Sequence, residues 1–293
     1  MRSFFGNGKR HSYFEGWYFK HQSDENTLAL IPAFHIDRCG RASSSLQIIT
    51  DTESYHAEFP AQTLEADTDQ LLIRIGNCIF SAYGCKLNLE TDALSIKGTL
   101  RYGPFAPPAH DIIGPFRFVP FLECRHSVFS LFHSVDGTVD INGVPFEFRN
   151  GTGYSEGDRG KSFPRRYLWT QCLCQDISIM LSAAEIPFCG GFFVGCIGLL
   201  YVKGEEHRIA TYLGGRPLYA GSGDLVLQQG ELTVHAMLLE KNSFPLLAPS
   251  GGSMCRTVHE NASCRVHYTC TLGCRTIFDF TSEQASFEDN WRA

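Results

Sequence analysis

Acids crowded by aromatic rings occur at three places in this 293-residue chain. The first is Tyr13-Phe14-Glu15-Gly16-Trp17-Tyr18-Phe19-Lys20, with five rings in eight positions and one carboxylate. The second is Phe118-Val119-Pro120-Phe121-Leu122-Glu123-Cys124-Arg125-His126-Ser127. The third runs from Gly153 to Gln171 and places two acids, Glu156 and Asp158, within eleven residues of four bases, Arg159, Lys161, Arg165 and Arg166. A carboxyl among rings has three fates: a solvated edge residue, a buried group paired with a base, or an acid kept protonated for work. In an extended chain side chains alternate faces, so Tyr13, Glu15, Trp17 and Phe19 share one side and Tyr18 and Lys20 the other. By the same parity Glu123 and Arg125 share a face, Cys124 and His126 the opposite one, and Tyr167, Trp169 and Gln171 a third. The bland alternatives are a salt-bridged solvated loop around Asp158 and Arg159, and a Glu123–Arg125 pair beside a satisfied core histidine.

The elements that must hold these residues read as strands. Period-two alternation is the dominant signal, at Leu71–Ile75, Cys85–Glu90, Ser95–Arg101, Thr138–Asn142, Ile177–Leu181, His207–Leu213, Leu232–Leu238 and Cys264–Cys270. Turn-formers separate them at Val135-Asp136-Gly137, Asn142-Gly143 and Ser222-Gly223. No segment holds a helical period beyond two turns, and Phe121–Phe132 is ambiguous. Some twenty short strands exceed the eight or so of one small up-and-down barrel. The expectation is an all-β protein of two antiparallel barrels or sandwiches packed side by side, divided within about twenty residues of position 150 into 1–150 and 151–293. The third stretch reads as strand, tight glycine-bounded turn and strand.

Composition narrows the function. A net charge of −6 without a run of Lys or Arg argues against nucleic-acid binding. No uninterrupted apolar stretch reaches the length of a membrane span, and the N-terminus lacks the apolar core of a signal peptide. A cytoplasmic protein is expected, with peripheral contact to lipid left open and the oligomeric state unspecified. The twelve cysteines are scattered without a CxxC pair, and the spacings of Cys255, Cys264, Cys270 and Cys274 match no common zinc site, so reduced thiols and no metal are expected. No phosphate loop, nucleophile elbow or dinucleotide fingerprint follows a strand.

In FEGWYFK, FVPFLECRHSV and GYSEGDRGKSFPRRYLWTQC, in that order and at compatible spacing, the chain resembles the tocopherol cyclase family, in particular its shorter bacterial members. The resemblance implies two lipocalin-like β-barrels, a fold it shares with carotenoid hydratases. It also implies a cofactor-free reaction in which an acid protonates an isoprenoid double bond and a phenol oxygen captures the cation. An alkene is a very weak base, so the acid must be protonated and desolvated, and aromatic faces stabilise the developing cation. Glu156 aligns with an acid of the family motif and is the first candidate, with Glu15 and Glu123 as alternatives. His126 would orient or relay a proton, and Asp158 is a further catalytic candidate. Trp17, Tyr18, Tyr154 and Trp169 would line the pocket, and Arg159, Arg165 or Arg166 would anchor a polar head group. The chain departs from plant members at Asp158-Arg159, where they carry Asn-Trp. The competing functions are a carrier of a hydrophobic small molecule, with the acids as partners of Arg and Lys, and a structural role at an interface.

Overall fold

The computed structural model describes residues 4–119, 122–188, 190–240 and 243–291. The fold is all-β, with two large antiparallel sheets, one nearly closed into a barrel and the other open. The only helical elements among the described residues are short 3-10 turns.

The first sheet begins with β1 (Tyr13–Gln22), β2 (Thr27–Ile36), β3 (Ala42–Thr50) and β4 (Ser54–Pro60). It continues with β5 (Leu64–Ala66), β6 (Leu72–Ile75), β7 (Cys78–Ser81), β8 (Gly84–Glu90) and β9 (Ser95–Tyr102). Two long strands, β10 (Cys124–Ile141) and β11 (Val144–Gly160), complete it. The order is β4-β3-β2-β1-β11-β10-β9-β8-β7-β6-β5, so β1 and β11 lie side by side near its middle.

The second sheet contains β12 (Tyr167–Cys174), β13 (Ile177–Phe188), β14 (Gly191–Val202), β15 (Glu205–Ala210) and β16 (Arg216–Gly221). To these it adds β17 (Asp224–Gln229), β18 (Leu232–Leu238), β19 (Phe244–Ser250), β20 (Ser253–Leu272) and β21 (Arg275–Asp289). Here β12 pairs with β13 and β21, while β19 lies off the main path on β20. In each sheet the two edge strands are consecutive in sequence and joined through one short 3-10 turn, which obliges the sheet to curl.

Two compact units result, and the chain threads each of them three times. One is built from Met1–Pro107, Val128–Ser162 and Leu246–Arg256, the other from Pro108–Ser127, Phe163–Pro245 and Thr257–Ala293. Each has its own core. The first gathers Trp17, Phe19, Leu28, Leu30, Ile48 and Phe80 inside its sheet. The second gathers Leu168, Ile179, Leu181, Val266, Tyr268 and Phe287. Burial of such side chains stabilises by about 1.5–3 kcal/mol each.

Two local readings of the sequence change. Val135-Asp136-Gly137 is not a turn: it lies inside β10, where Gly137 pairs with Leu100 of β9. A Cβ at Gly137 would stand 2.1 Å from the Thr99 carbonyl oxygen, so the glycine serves a close approach of strands rather than a reversal. Likewise, the glycines of Tyr154–Gly160 do not open a loop. β11 runs on to Gly160 because β1 pairs with it throughout, from Gln22↔Thr152 to Phe14↔Gly160. β11 ends at Gly160, and Lys161–Arg166 connect it to β12. Asn142-Gly143 and Ser222-Gly223 are turns, each with a left-handed first residue.

Candidate functional site

Strand register distributes the candidate residues over two faces of one sheet. Tyr18 stands opposite Glu156, Lys20 opposite Tyr154, and Gly16 opposite Asp158. Glu15 stands opposite Arg159 and Trp17 opposite Gly157. Trp17 and Phe19 belong to the core, so Glu15 and Arg159 share the inward face, and Tyr18, Lys20, Tyr154, Glu156 and Asp158 share the outward one. The structure therefore does not bring Glu15 and Glu156 together.

On the outward face the Tyr154 hydroxyl donates to Glu156 Oε2 at 2.6 Å, an i, i+2 pair on one side of β11. Both side chains are buried, and Lys20 is fully buried in register with them. Burial, and then the neighbouring Glu156 carboxyl, push the Tyr154 phenol well above its usual range, so it stays protonated and keeps donating. A sheet face turned away from its core ordinarily carries solvated polar groups. This one carries buried rings, an acid and a lysine.

The flank of that face is covered by Leu246–Arg256 of the same unit. Gln47 on β3 clamps this segment with its amide: Nε2 donates to the Leu247 carbonyl at 3.0 Å and Oε1 accepts the Leu247 N–H at 2.8 Å. At the far end Gly252 has a φ of +83°, and a Cβ there would lie 2.0 Å from the Ile36 carbonyl oxygen. Its N–H is bound by the Lys161 carbonyl at 2.7 Å. Only glycine fits so close to the backbone at that φ.

On the inward face Glu15 Oε2 accepts the Tyr13 hydroxyl at 2.6 Å and the Phe5 N–H at 2.9 Å. Burial raises its pKa to about 7, against the downward pull of Tyr13, Phe5, Arg159 and Gly6. Arg159 lays its guanidinium 4.0 Å above the Phe5 ring. Phe4 fills the space beside Trp17 and Phe34, with ring centroids 6.2 and 5.6 Å away. Glu15 is thus an acid in an aromatic barrel interior, held well above the usual carboxyl range by burial.

The other candidates lie in the second unit. Glu123 occupies the bend before β10, and His126 lies at the start of that strand, both half-buried. Pro120 and Phe121 of the same motif fall outside the described residues. Arg165 is exposed in the turn before β12, and Arg166 pairs with Glu185 at 3.2 Å. Trp169 is buried on β12, opposite Glu288 of β21.

No protein-family model matches this sequence, and no curated protein matches it. Solved structures that share its fold include the following three. CghA, solved with Sch210972, superposes with a TM-score of 0.59 at 11% identity over 95% of this chain and 88% of its own. Kievitone hydratase from Nectria haematococca gives 0.56 at 10% identity over 95% and 89%. A putative AttH from Nitrosomonas europaea gives 0.57 at 11% identity over 97% and 94%. The fold is shared with a hydratase. At such identities the likeness is one of fold alone, and none of the three is named a tocopherol cyclase.

Several buried polar residues escape motif reading. Lys20 lies in the first motif on the face of Tyr18, but nothing in the sequence marks it as fully buried. Glu260 and Glu288 could not be found by parity: they are 28 positions apart and meet only because β20 and β21 pair in register.

Proposed function

We propose that the protein is a cofactor-free enzyme that protonates a carbon–carbon double bond of an apolar, isoprenoid-like molecule, acting as a cyclase, hydratase or isomerase. The observation that carries this reading is the buried Tyr154–Glu156 pair on the outward face of β11, away from the packed core. In the proposed reaction the Glu156 O–H bond breaks as a C–H bond forms, leaving a tertiary cation and a carboxylate. Water or an internal hydroxyl adds to the cation, and its proton returns to Glu156, which closes the cycle. Tyr154 holds the Glu156 carboxyl in place by donating to its Oε2. Tyr18, opposite Glu156, offers a ring to the cation. The fold shared with kievitone hydratase supports an addition of this kind, and the three motifs resembling tocopherol cyclases support the substrate class.

The competing reading is a carrier of the same class of molecule, and one experiment separates the two. Apolar small molecules co-purifying with the wild-type chain and with Glu156→Gln are compared by untargeted mass spectrometry. A compound that accumulates only in the variant supports turnover. An equal load in both sinks the enzymatic reading and leaves the carrier.

A further inference from the structure

Exposed rings gather at one place in the second unit. The hairpin between β13 and β14 turns at Gly190, whose φ is +81°, with Phe188 on one arm and Phe192 and Phe193 on the other. Phe188 is 54% exposed and Phe192 62%. Phe193 meets Phe188 edge-on, with ring centroids 6.0 Å apart, and meets Phe116 at 6.4 Å. Phe116 belongs to the 3-10 turn Gly114–Phe118 and packs edge-on against Tyr212 at 5.8 Å. Tyr212 lies in a second 3-10 turn, Thr211–Leu213. Ring contacts thus join three separate segments. The last residues of both turns are exposed as well, Phe118 at 74% and Leu213 at 43%. Single exposed apolar side chains are ordinary, whereas a contiguous group marks a surface that meets a partner.

The residue types around these rings say which partner. Residues 112–119, 186–194 and 211–216 contain no Asp or Glu, in a chain whose net charge is −6. Their charged side chains are Arg117 and Arg216. Arg117 lies 4.8 Å from the centre of the Phe118 ring, and Arg216 donates to Gln228 Oε1 at 2.9 Å, so neutral groups hold both cations. The hydroxyls of the three segments are spent within the fold. Thr211 accepts the Cys196 N–H at 2.8 Å, and Tyr212 donates to the Ile112 carbonyl at 3.0 Å. A protein partner would require a rim of hydrogen-bonding groups around the apolar centre. A bilayer requires only rings that enter the boundary between headgroups and acyl chains, with cations beside them for anionic lipids.

We propose that the tip of the β13–β14 hairpin and the two 3-10 turns form a docking surface for an anionic lipid bilayer. Phe118, Phe188 and Phe192 enter the interfacial layer, and Arg117 and Arg216 meet lipid phosphates. Docking brings the second unit to the phase in which isoprenoid-like molecules dissolve. The surface does not rest on Tyr154 or Glu156, so the Glu156→Gln experiment and the one below fail independently.

The test floats the full chain with unilamellar vesicles of phosphatidylcholine, with and without phosphatidylserine. The wild type should bind the mixed vesicles, and about twentyfold more weakly those of phosphatidylcholine alone, at about fivefold for each cation. Phe118→Ser combined with Phe192→Ser should weaken binding to mixed vesicles by about tenfold or more. Circular dichroism of that variant should be unchanged, because both rings are exposed. Arg117→Gln combined with Arg216→Gln should abolish the preference for phosphatidylserine. Tyr83→Ser removes an 83% exposed ring from the first unit and should leave binding as it is. Absence of wild-type flotation with mixed vesicles overturns the proposal. So does flotation that survives loss of both phenylalanines, or that falls as far in Tyr83→Ser. A wild-type dimer in size-exclusion chromatography that the phenylalanine variant abolishes, without flotation, assigns the surface to a second copy of the chain and overturns it too.

Discussion

Replacing Glu15 by Gln should change how the stability of the first unit depends on pH, in a direction the structure fixes. Glu15 titrates at about 7 in the fold against an ordinary 4.5, chiefly because burial disfavours its anion. Between those two values the folded protein binds a proton that the unfolded chain releases. Stability contributed by this group is therefore present below about 4.5 and falls as pH rises through 7. The window of about 2.5 units corresponds to roughly 3 kcal/mol. Gln keeps the shape, and its carbonyl still accepts from Tyr13 and Phe5, but it does not titrate. Urea unfolding of both proteins at a series of pH values isolates the term, because every other titrating group cancels in the difference. Relative to wild type, the variant should gain roughly 3 kcal/mol between pH 4.5 and 8, with the gain complete once Glu15 is ionised. Removing the opposing cation with Arg159→Met should widen the wild-type loss. A difference curve that stays flat across this window would refute the reasoning, since Glu15 would then be as easily ionised in the fold as out of it.

Three buried imidazoles should act in the opposite sense. His21, His35 and His133 fall from an ordinary 6.5 to about 4, 3 and 3 because burial disfavours their cations, so their stability is full above 6.5 and lost as pH falls below it. Circular dichroism should show cooperative acid unfolding of the first unit before the carboxylates are fully protonated. Tyr154→Phe leaves Glu156 Oε2 buried without its hydroxyl donor and should cost about 1–3 kcal/mol in urea unfolding. Gly252→Ala should release Leu246–Arg256 from the sheet, seen as faster limited proteolysis in that segment, because the added Cβ meets the Ile36 carbonyl oxygen.

Alternation alone made the strands legible, and Leu232–Leu238 was delimited residue for residue. Parity also separated Glu15 and Trp17 from Tyr18 and Lys20, a division that the two faces of β1 preserve. What parity could not give was which face met the core, because both faces of β1 are rich in rings. Gly137 and Gly157 misled for a physical reason. Glycine serves close approach between strands as readily as it serves turns, and local sequence does not distinguish the two uses. The clamp of Gln47 on Leu247 spans 200 positions, and the Glu260–Glu288 register depends on a bulged hairpin. Neither leaves a periodic trace.

β1 has no side that faces water: nine of its ten residues are buried and Gly16 is partly so. A half-buried strand finds its register because a slip by one residue would drown its polar face and expose its apolar one. Here that penalty is missing, since a slipped β1 would still set rings against rings on both sides. Correct alignment must instead be enforced by particular partners. Tyr13 and Phe5 must find the Glu15 carboxylate, and His21 must find Tyr102 and the Leu28 carbonyl. The polar groups of this strand are thus also its proofreading, and replacing several of them together would threaten the fidelity of folding before it touched any reaction.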